Sequence, residues 1–165
     1  IATAFNNQYG ETFVVPEARI EEQVMTIPGT DGQKMSKSYG NIIDIFLPDK
    51  DLKKQVMSIV TDSKPLEAPK DPESDNVFAI YGLIASAEQK NAMAEKYRAG
   101  NYGYGHAKQE LYDLIINKFL KEREAFNFYM SNPAELENKL MQGEARARKI
   151  AHQTLARVRK TLGYS

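Results

Sequence analysis

Downstream of Asp44 the apolar residues return at three- and four-residue intervals, which confines that stretch to helices with one buried face. Leu52, Val56, Ile59 and Val60 share the face of a helix that Asp49 can cap. Residues 63–75, SKPLEAPKDPESD, set three prolines among charged side chains and predict an extended linker or surface loop. A helix from about 75 to 86 gathers Val77, Ile80, Leu83 and Ile84, and the next, from about 87 to 99, stops at Gly100. Residues 106–130 predict one long apolar helix carrying Leu111, Leu114, Ile115, Phe119 and Phe126. Asn132 then offers a cap and Pro133 a proline at the first helical position. The helix they open carries Leu136, Leu140, Ala147, Ile150, Leu155, Val158 and Leu162 along its face. Before Asp44 the pattern is different. Residues 12–15 and 24–27 are short β-like runs, separated by the turn-prone pairs Pro16-Glu17 and Pro28-Gly29. The expected fold is mainly α: a short α/β piece followed by an all-helical domain.

Composition excludes several functions. An apolar content of 42% over 165 residues is enough for a core and argues against a disordered tail. Basic and acidic residues number 22 each, so any affinity for a polyanion must come from local clustering. The absence of cysteine removes disulfides and thiolate metal sites and fits a reducing compartment. Two isolated histidines, His106 and His152, argue against a histidine metal site. No apolar run is long enough to span a membrane. The opening IATAFNN has neither a methionine nor the layout of a signal segment, and is read as a chain beginning mid-protein.

The stretch of greatest chemical interest is GTDGQKMSKSYGN, residues 29–41, with three glycines and two lysines. A solvated loop is the plain reading. However, Lys34 and Lys37 sit three apart around Met35 and Ser36, with Ser38 following, so one turn can bring both ammonium groups together beside hydroxyls and backbone N–H groups. Those parts suit a polyphosphate: mobile point charges and short-range donors. Flanking glycines would let such a loop close over reacting phosphates.

Lys34-Met35-Ser36-Lys37-Ser38 is identical to the KMSKS signature of class I aminoacyl-tRNA synthetases. Its surroundings resemble the bacterial tryptophanyl-tRNA synthetases: Phe5-Asn6, Tyr9-Gly10-Glu11, Phe13 and Pro16-Glu17 before it, Val60-Thr61-Asp62-Ser63 after it, and Tyr104-Gly105-His106-Ala107-Lys108 opening a later helix. The resemblance covers essentially the whole chain. Residues 29–33 depart from the shorter, proline-containing approach of many bacterial members, which points to a different branch.

The resemblance implies both a domain layout and a reaction. Residues 1–44 would end a Rossmann-like nucleotide-binding catalytic domain and carry the KMSKS loop; residues 45–165 would form a helical anticodon-binding domain. The reaction would be tryptophan–tRNA ligation, in which the carboxylate of L-tryptophan attacks the α-phosphorus of ATP before transfer to tRNA(Trp). Lys34 and Lys37 would neutralise charge growing on the departing pyrophosphate. Ser36, Ser38 and nearby amides would hold phosphates, with Met35 and Val24 beside the adenine. Mg²⁺ would arrive with ATP and be held by phosphate oxygens and water, not by residues of this chain. The HIGH-like element and the tryptophan pocket would lie in a missing N-terminal part, so the chain alone should be inactive. A cytoplasmic homodimer is expected. Alternatives are a tyrosyl-tRNA synthetase and a non-catalytic helical RNA-binding or scaffold module.

Other features have plainer readings. The glycine-rich residues 100–105 follow a helix rather than a strand and predict a flexible connector and a helix start. Thr61-Asp62-Ser63 predicts a helix end and cap. His106 predicts a cap or surface position, and His152 one face of the last helix. The basic run Arg146, Arg148, Lys149, Arg157, Arg159 and Lys160 reads alone as a solvated face. With a tRNA partner, Arg157, Arg159 and Lys160 become candidate phosphate contacts. Phe119, Phe126, Phe128 and Tyr129 predict core positions, with base stacking open to any that is exposed.

Overall fold

A computed structural model describes residues 1–20 and 26–164. Seven α-helices appear among them: α1 (Ala2–Tyr9), α2 (Asp49–Met57), α3 (Asn76–Ile84), α4 (Ala87–Ala99), α5 (Tyr104–Lys118), α6 (Leu120–Ser131) and α7 (Pro133–Thr161). The described residues contain no strand; the one ladder contact is an isolated antiparallel bridge between Pro28 and Lys34. The mainly helical expectation therefore holds, and the β-like expectation for residues 12–15 does not. Asn6 takes the place of a partner strand there. Its Oδ1 accepts from the N–H groups of Thr12 (3.1 Å) and Phe13 (3.0 Å), and its Nδ2 donates to the Phe13 carbonyl at 2.8 Å. Half of the second β-like run, 24–27, falls outside the described residues, and Thr26 and Ile27, the described half, form no strand.

The chain divides into two compact units, one made of Glu21–Phe126 and the other of Ile1–Ile20 with Asn127–Ser165. In the first, α5 packs against α2 and α3, and α4 against α3. Their meeting faces bury Leu52, Val56, Val77, Phe78, Ile80, Tyr81, Met93, Tyr97, Ala107, Leu111 and Ile115. Local signals set the helix starts. The Asp75 carboxylate accepts from the Phe78 N–H at 2.9 Å, and Ser86 and Gln89 form a reciprocal capping box. Gly100, at φ 76°, ends α4 where sequence reasoning expects, with its Cα so close to the Glu67 carbonyl that a Cβ would collide.

Several expectations need correction in this unit. Asp49 is the first helical residue of α2, preceded by Pro48, and makes no capping bond; its charge instead favours the helix N-terminus. Ile59 is buried beyond the end of that helix, whereas Val60 is exposed. Thr61-Asp62-Ser63 is not a helix end, because α2 has already stopped; Asp62 Oδ1 accepts from the Lys64 N–H at 3.0 Å. Residues 63–75 do form a surface loop, yet Lys70 within it is only 3% exposed. Its ammonium donates to the carbonyls of Pro65, Leu66 and Ala68 at 3.0–3.2 Å and lies over the Tyr104 ring, so it closes the loop from inside. The long helix expected over 106–130 is two helices. Phe119 leaves helical angles at φ −102°, ψ 19°, packing against the core, while its neighbours keep the apolar spacing that hides the break.

In the other unit, Pro133 opens α7 as expected, with Asn132 before it, although the Asn132 side chain turns back to the Phe128 carbonyl rather than capping. None of the α7 residues is buried. Leu140 is 58% exposed and Ile150 67%, so the apolar stripe exists without being covered. The core expectation for the aromatics holds only for Phe119. Phe126 is exposed while stacked on Phe46 at 4.7 Å, Tyr129 is half-buried, and Phe128 is 52% exposed.

Candidate functional site

The candidate site is the segment from Ile27 to Ile43, and its shape follows from a tight turn. Met35 N donates to the Ile27 carbonyl at 2.8 Å, and Gly29 N to the Gln33 carbonyl at 2.6 Å. Between them Gly32 takes φ 79°, a conformation that strains any other residue. Gly29 is glycine for a different reason. A Cβ there would lie 2.4 Å from the Asn41 Nδ2 and 2.6 Å from the Asn41 carbonyl.

Asn41 itself is 3% exposed. Its Nδ2 donates to Asp31 Oδ1 at 2.7 Å and to the Lys34 carbonyl at 3.2 Å, while its Oδ1 accepts from the Ser36 N–H at 2.8 Å. Its own carbonyl accepts from the Thr30 N–H at 2.9 Å. The bond from Asn41, with that from the Gln33 N–H, holds the Asp31 carboxyl below the usual carboxylate range. Onward, Thr30 O accepts from Val60 N at 2.7 Å, and Val60 O accepts from Asn76 Nδ2 at 2.9 Å, which ties the turn to the first residue of α3.

On this frame the signature residues are presented unequally. Lys34 sits on the bridged arm opposite Pro28, exposed. Lys37 begins a single 3₁₀ turn, Lys37–Tyr39, bounded by Ser36 and by Gly40 at φ 67°. Ser36 and Ser38, the residues on either side of Lys37 in the chain, share a hydroxyl hydrogen bond of 2.8 Å. Among the described residues neither lysine forms an ion pair. Met35 points the other way, half-buried in an apolar cleft of about 240 Å³ with Ile27, Ile43, Ile45, Ile80, Leu83 and Ile115. The structure thus brings Lys34, Met35, Ser36, Lys37 and Ser38 into one short presentation, with charges outward and the thioether inward. Val24 lies outside the described residues.

Two further sequence elements meet in space. Tyr104 donates its hydroxyl to Asp62 Oδ1, joining the VTDS and YGHxK elements, and this bond is the main reason the Asp62 carboxyl is held low. Burial pushes the Tyr104 phenol up and the Lys108 ammonium down; Lys108 donates to the Met57 carbonyl at 3.0 Å. His106 and His152 are exposed. The basic trio is not gathered. Arg159 and Lys160 line a shallow depression with His152, Leu155, Ala156 and Tyr164, whereas Arg157 lies outside it and donates weakly to Thr154. Among the described residues no cluster of three or more His, Cys, Asp or Glu could hold a metal, and no helix is long and apolar enough to cross a membrane. Sequence reasoning missed Asn41, Gly29 and Asp31; the one available signal was a polar residue directly after a glycine at the foot of the motif.

The family model described as tRNA synthetases class I (W and Y) matches residues 1–121. A tryptophan–tRNA ligase of Campylobacter jejuni is 44% identical over 163 residues, covering 99% of this chain and 51% of the relative. One from Fusobacterium nucleatum is 45% identical over 164 residues, covering 99% and 50%. A crystal structure of the Campylobacter jejuni tryptophanyl-tRNA synthetase, complexed with ADP and tryptophan, superposes with a TM-score of 0.83 at 44% identity, over 98% of this chain and 51% of that one. The chain spans about half the length of the curated relatives it matches.

Proposed function

The chain belongs to the class I tRNA synthetases of the tryptophan and tyrosine type, and from that premise we propose that it forms part of a tryptophan–tRNA ligase. The observation that carries this reading is the pinned KMSKS loop, which holds two exposed ammonium groups and two hydroxyls on one short presentation. The two relatives described above, each covering 99% of the chain, are tryptophan ligases, which favours tryptophan over tyrosine.

In this reading the MgATP complex is the substrate. A carboxylate oxygen of tryptophan bonds to the α-phosphorus, and the bond from that phosphorus to the bridging oxygen breaks, releasing pyrophosphate. Lys34 and Lys37 meet the charge that grows on the leaving group; they stabilise it electrostatically and transfer no proton. Ser36 and Ser38 donate to phosphate oxygens, Val24 is the adenine-side residue, and Met35 would reach the adenine only by leaving its apolar cleft. Magnesium stays with the phosphates. The adenylate then passes its tryptophanyl group to tRNA(Trp).

Residues 1–44 would belong to the nucleotide-binding domain and 45–165 to the tRNA-binding domain of a cytoplasmic homodimer. The other half of the active site, including the tryptophan pocket, would come from sequence outside this chain. Arg157, Arg159 and Lys160 are exposed and available to phosphates. Neutralising all three in the full-length enzyme should weaken tRNA binding and flatten its salt dependence by about one unit for each phosphate partner removed. Unchanged affinity and slope would return them to a solvated face.

Exchange of labelled pyrophosphate into ATP tests the reaction. It should depend on tryptophan, not tyrosine, in the full-length enzyme, and should fall to a small residual rate, about a hundredfold down or more, when Lys34 and Lys37 are both alanine. Tyrosine dependence, or no amino-acid dependence, would overturn the proposal.

A further inference from the structure

We propose that Asn41 is a positioning residue for adenylate formation: it fixes the two peptide units flanking Met35, so that Lys34 stands on a rigid arm and Lys37 on a hinged turn. The inference rests on the ligase reading above and adds to it a residue outside the KMSKS signature and a division of labour between the lysines.

The geometry gives Asn41 little freedom. It is 3% exposed, and an amide so buried must be satisfied by the protein. Three bonds do this, to Asp31 Oδ1, to the Lys34 carbonyl and from the Ser36 N–H. The Lys34 carbonyl belongs to the peptide before Met35, and the Ser36 N–H to the peptide after it. One side chain therefore clamps both sides of the residue that seats the loop in its apolar cleft. Asp31 braces the amide, and is itself held by the Gln33 N–H. Gly29 leaves the room the amide occupies, since a Cβ there would lie 2.4 Å from Nδ2.

Beyond Ser36 the clamp ends. The turn that carries Lys37 is closed only by its own backbone, Tyr39 N to Ser36 O at 3.3 Å and Gly40 N to Lys37 O at 3.2 Å, with no bond from the Asn41 side chain. Gly40, in the left-handed region with open space around its Cα, can change its angles with little strain. Movement is thus concentrated between Ser36 and Gly40. Lys34 contacts phosphate from a fixed place, and Lys37 can improve its contact as charge moves to the leaving group.

The test uses the full-length enzyme with Asn41→Ala and with Asp31→Ala. Asp31 is exposed, so its removal tests the brace without disturbing a core. Single-turnover adenylate formation should fall roughly 10- to 100-fold in Asn41→Ala, the range for a modest misplacement of reacting groups. Asp31→Ala should fall in the same direction by less. Tryptophan binding and the helical circular dichroism should be unchanged in both. A double-mutant cycle separates positioning from general destabilisation. With Lys34 and Lys37 already alanine, Asn41→Ala should lower the residual rate by less than about twofold. The same fractional loss on that background, or an unchanged rate in Asn41→Ala, would overturn the proposal. If Asn41→Ala lost its helical signal, an unchanged rate in Asp31→Ala would overturn it. Absence of tryptophan-dependent exchange in the unsubstituted enzyme would overturn the ligase reading, and this inference with it.

Discussion

Helices α5 and α7 carry the same kind of apolar period and meet opposite fates. In α5, Ala107, Leu111 and Ile115 are at most 2% exposed, because α2 and α3 present facing apolar surfaces. In α7 no residue is buried, although Leu136, Leu140, Ile150 and Leu155 lie along its length. Periodicity states what a helix could bury. Burial is decided by what faces it, and a stripe without a facing surface contributes little to stability.

The contrast can be broken or sharpened by substitution, beginning with the buried side. Leu111→Ala removes a fully buried side chain at the centre of the packed unit and should destabilise the chain by about 2–5 kcal/mol in chemical denaturation. A loss near zero would mean that α5 is not the keystone its burial indicates. Lys37→Ala sharpens the comparison differently, since Lys37 is exposed and should matter to chemistry alone. Adenylate formation by the full-length enzyme should fall by about 2.7–4 kcal/mol, or roughly a hundred- to a thousandfold. Its unfolding midpoint should stay within the scatter of ordinary surface changes, about 0.5 kcal/mol. ATP binding weakened by the full factor, with the chemical step intact, would make the loop a ground-state clamp.

Asp75→Ala tests the polar side of the packed unit. Asp75 caps α3 through the Phe78 N–H and accepts from the buried Tyr97 hydroxyl at 2.8 Å. Its loss should cost about 1–3 kcal/mol by leaving that hydroxyl unpaired, with Tyr97→Phe/Asp75→Ala recovering part of the deficit. The smallest effect belongs to α7. Leu140→Ala should change the stability of the chain by no more than about 0.5 kcal/mol. A loss comparable to that of Leu111→Ala would show α7 packed in solution and erase the contrast.

Much of the helical unit was legible in the residues themselves. Short-range chemistry gave the helix edges that were read, Gly100 after α4 and, in the other unit, Pro133 at the start of α7, and it also sets the caps at Asp75 and at Ser86 with Gln89. Such signals act within a turn or two, so a linear string contains them. The break at Phe119 was not legible, because a single residue leaving helical angles preserves the spacing on both sides. The β-like run at 12–15 misled for a related reason. Strand propensity needs a neighbouring strand, and the Asn6 side chain satisfies those backbone groups instead.

The candidate site divides along the same line. By itself the sequence determined the five residues of the signature, the glycines around them and the chemistry of two lysines beside two hydroxyls, since residue type and close spacing carry that information. Only tertiary structure decided that Lys34 stands on a bridged arm and Lys37 on a separate turn. It alone made Asn41 the clamp, seated Met35 against α3 and α5, and joined Asp62 to Tyr104 across 42 residues. The physical reason is directional. A hydrogen bond from a buried amide requires partners at fixed distances and angles, and that geometry exists only once Gly29, Asp31 and Ser36 have been folded around Asn41.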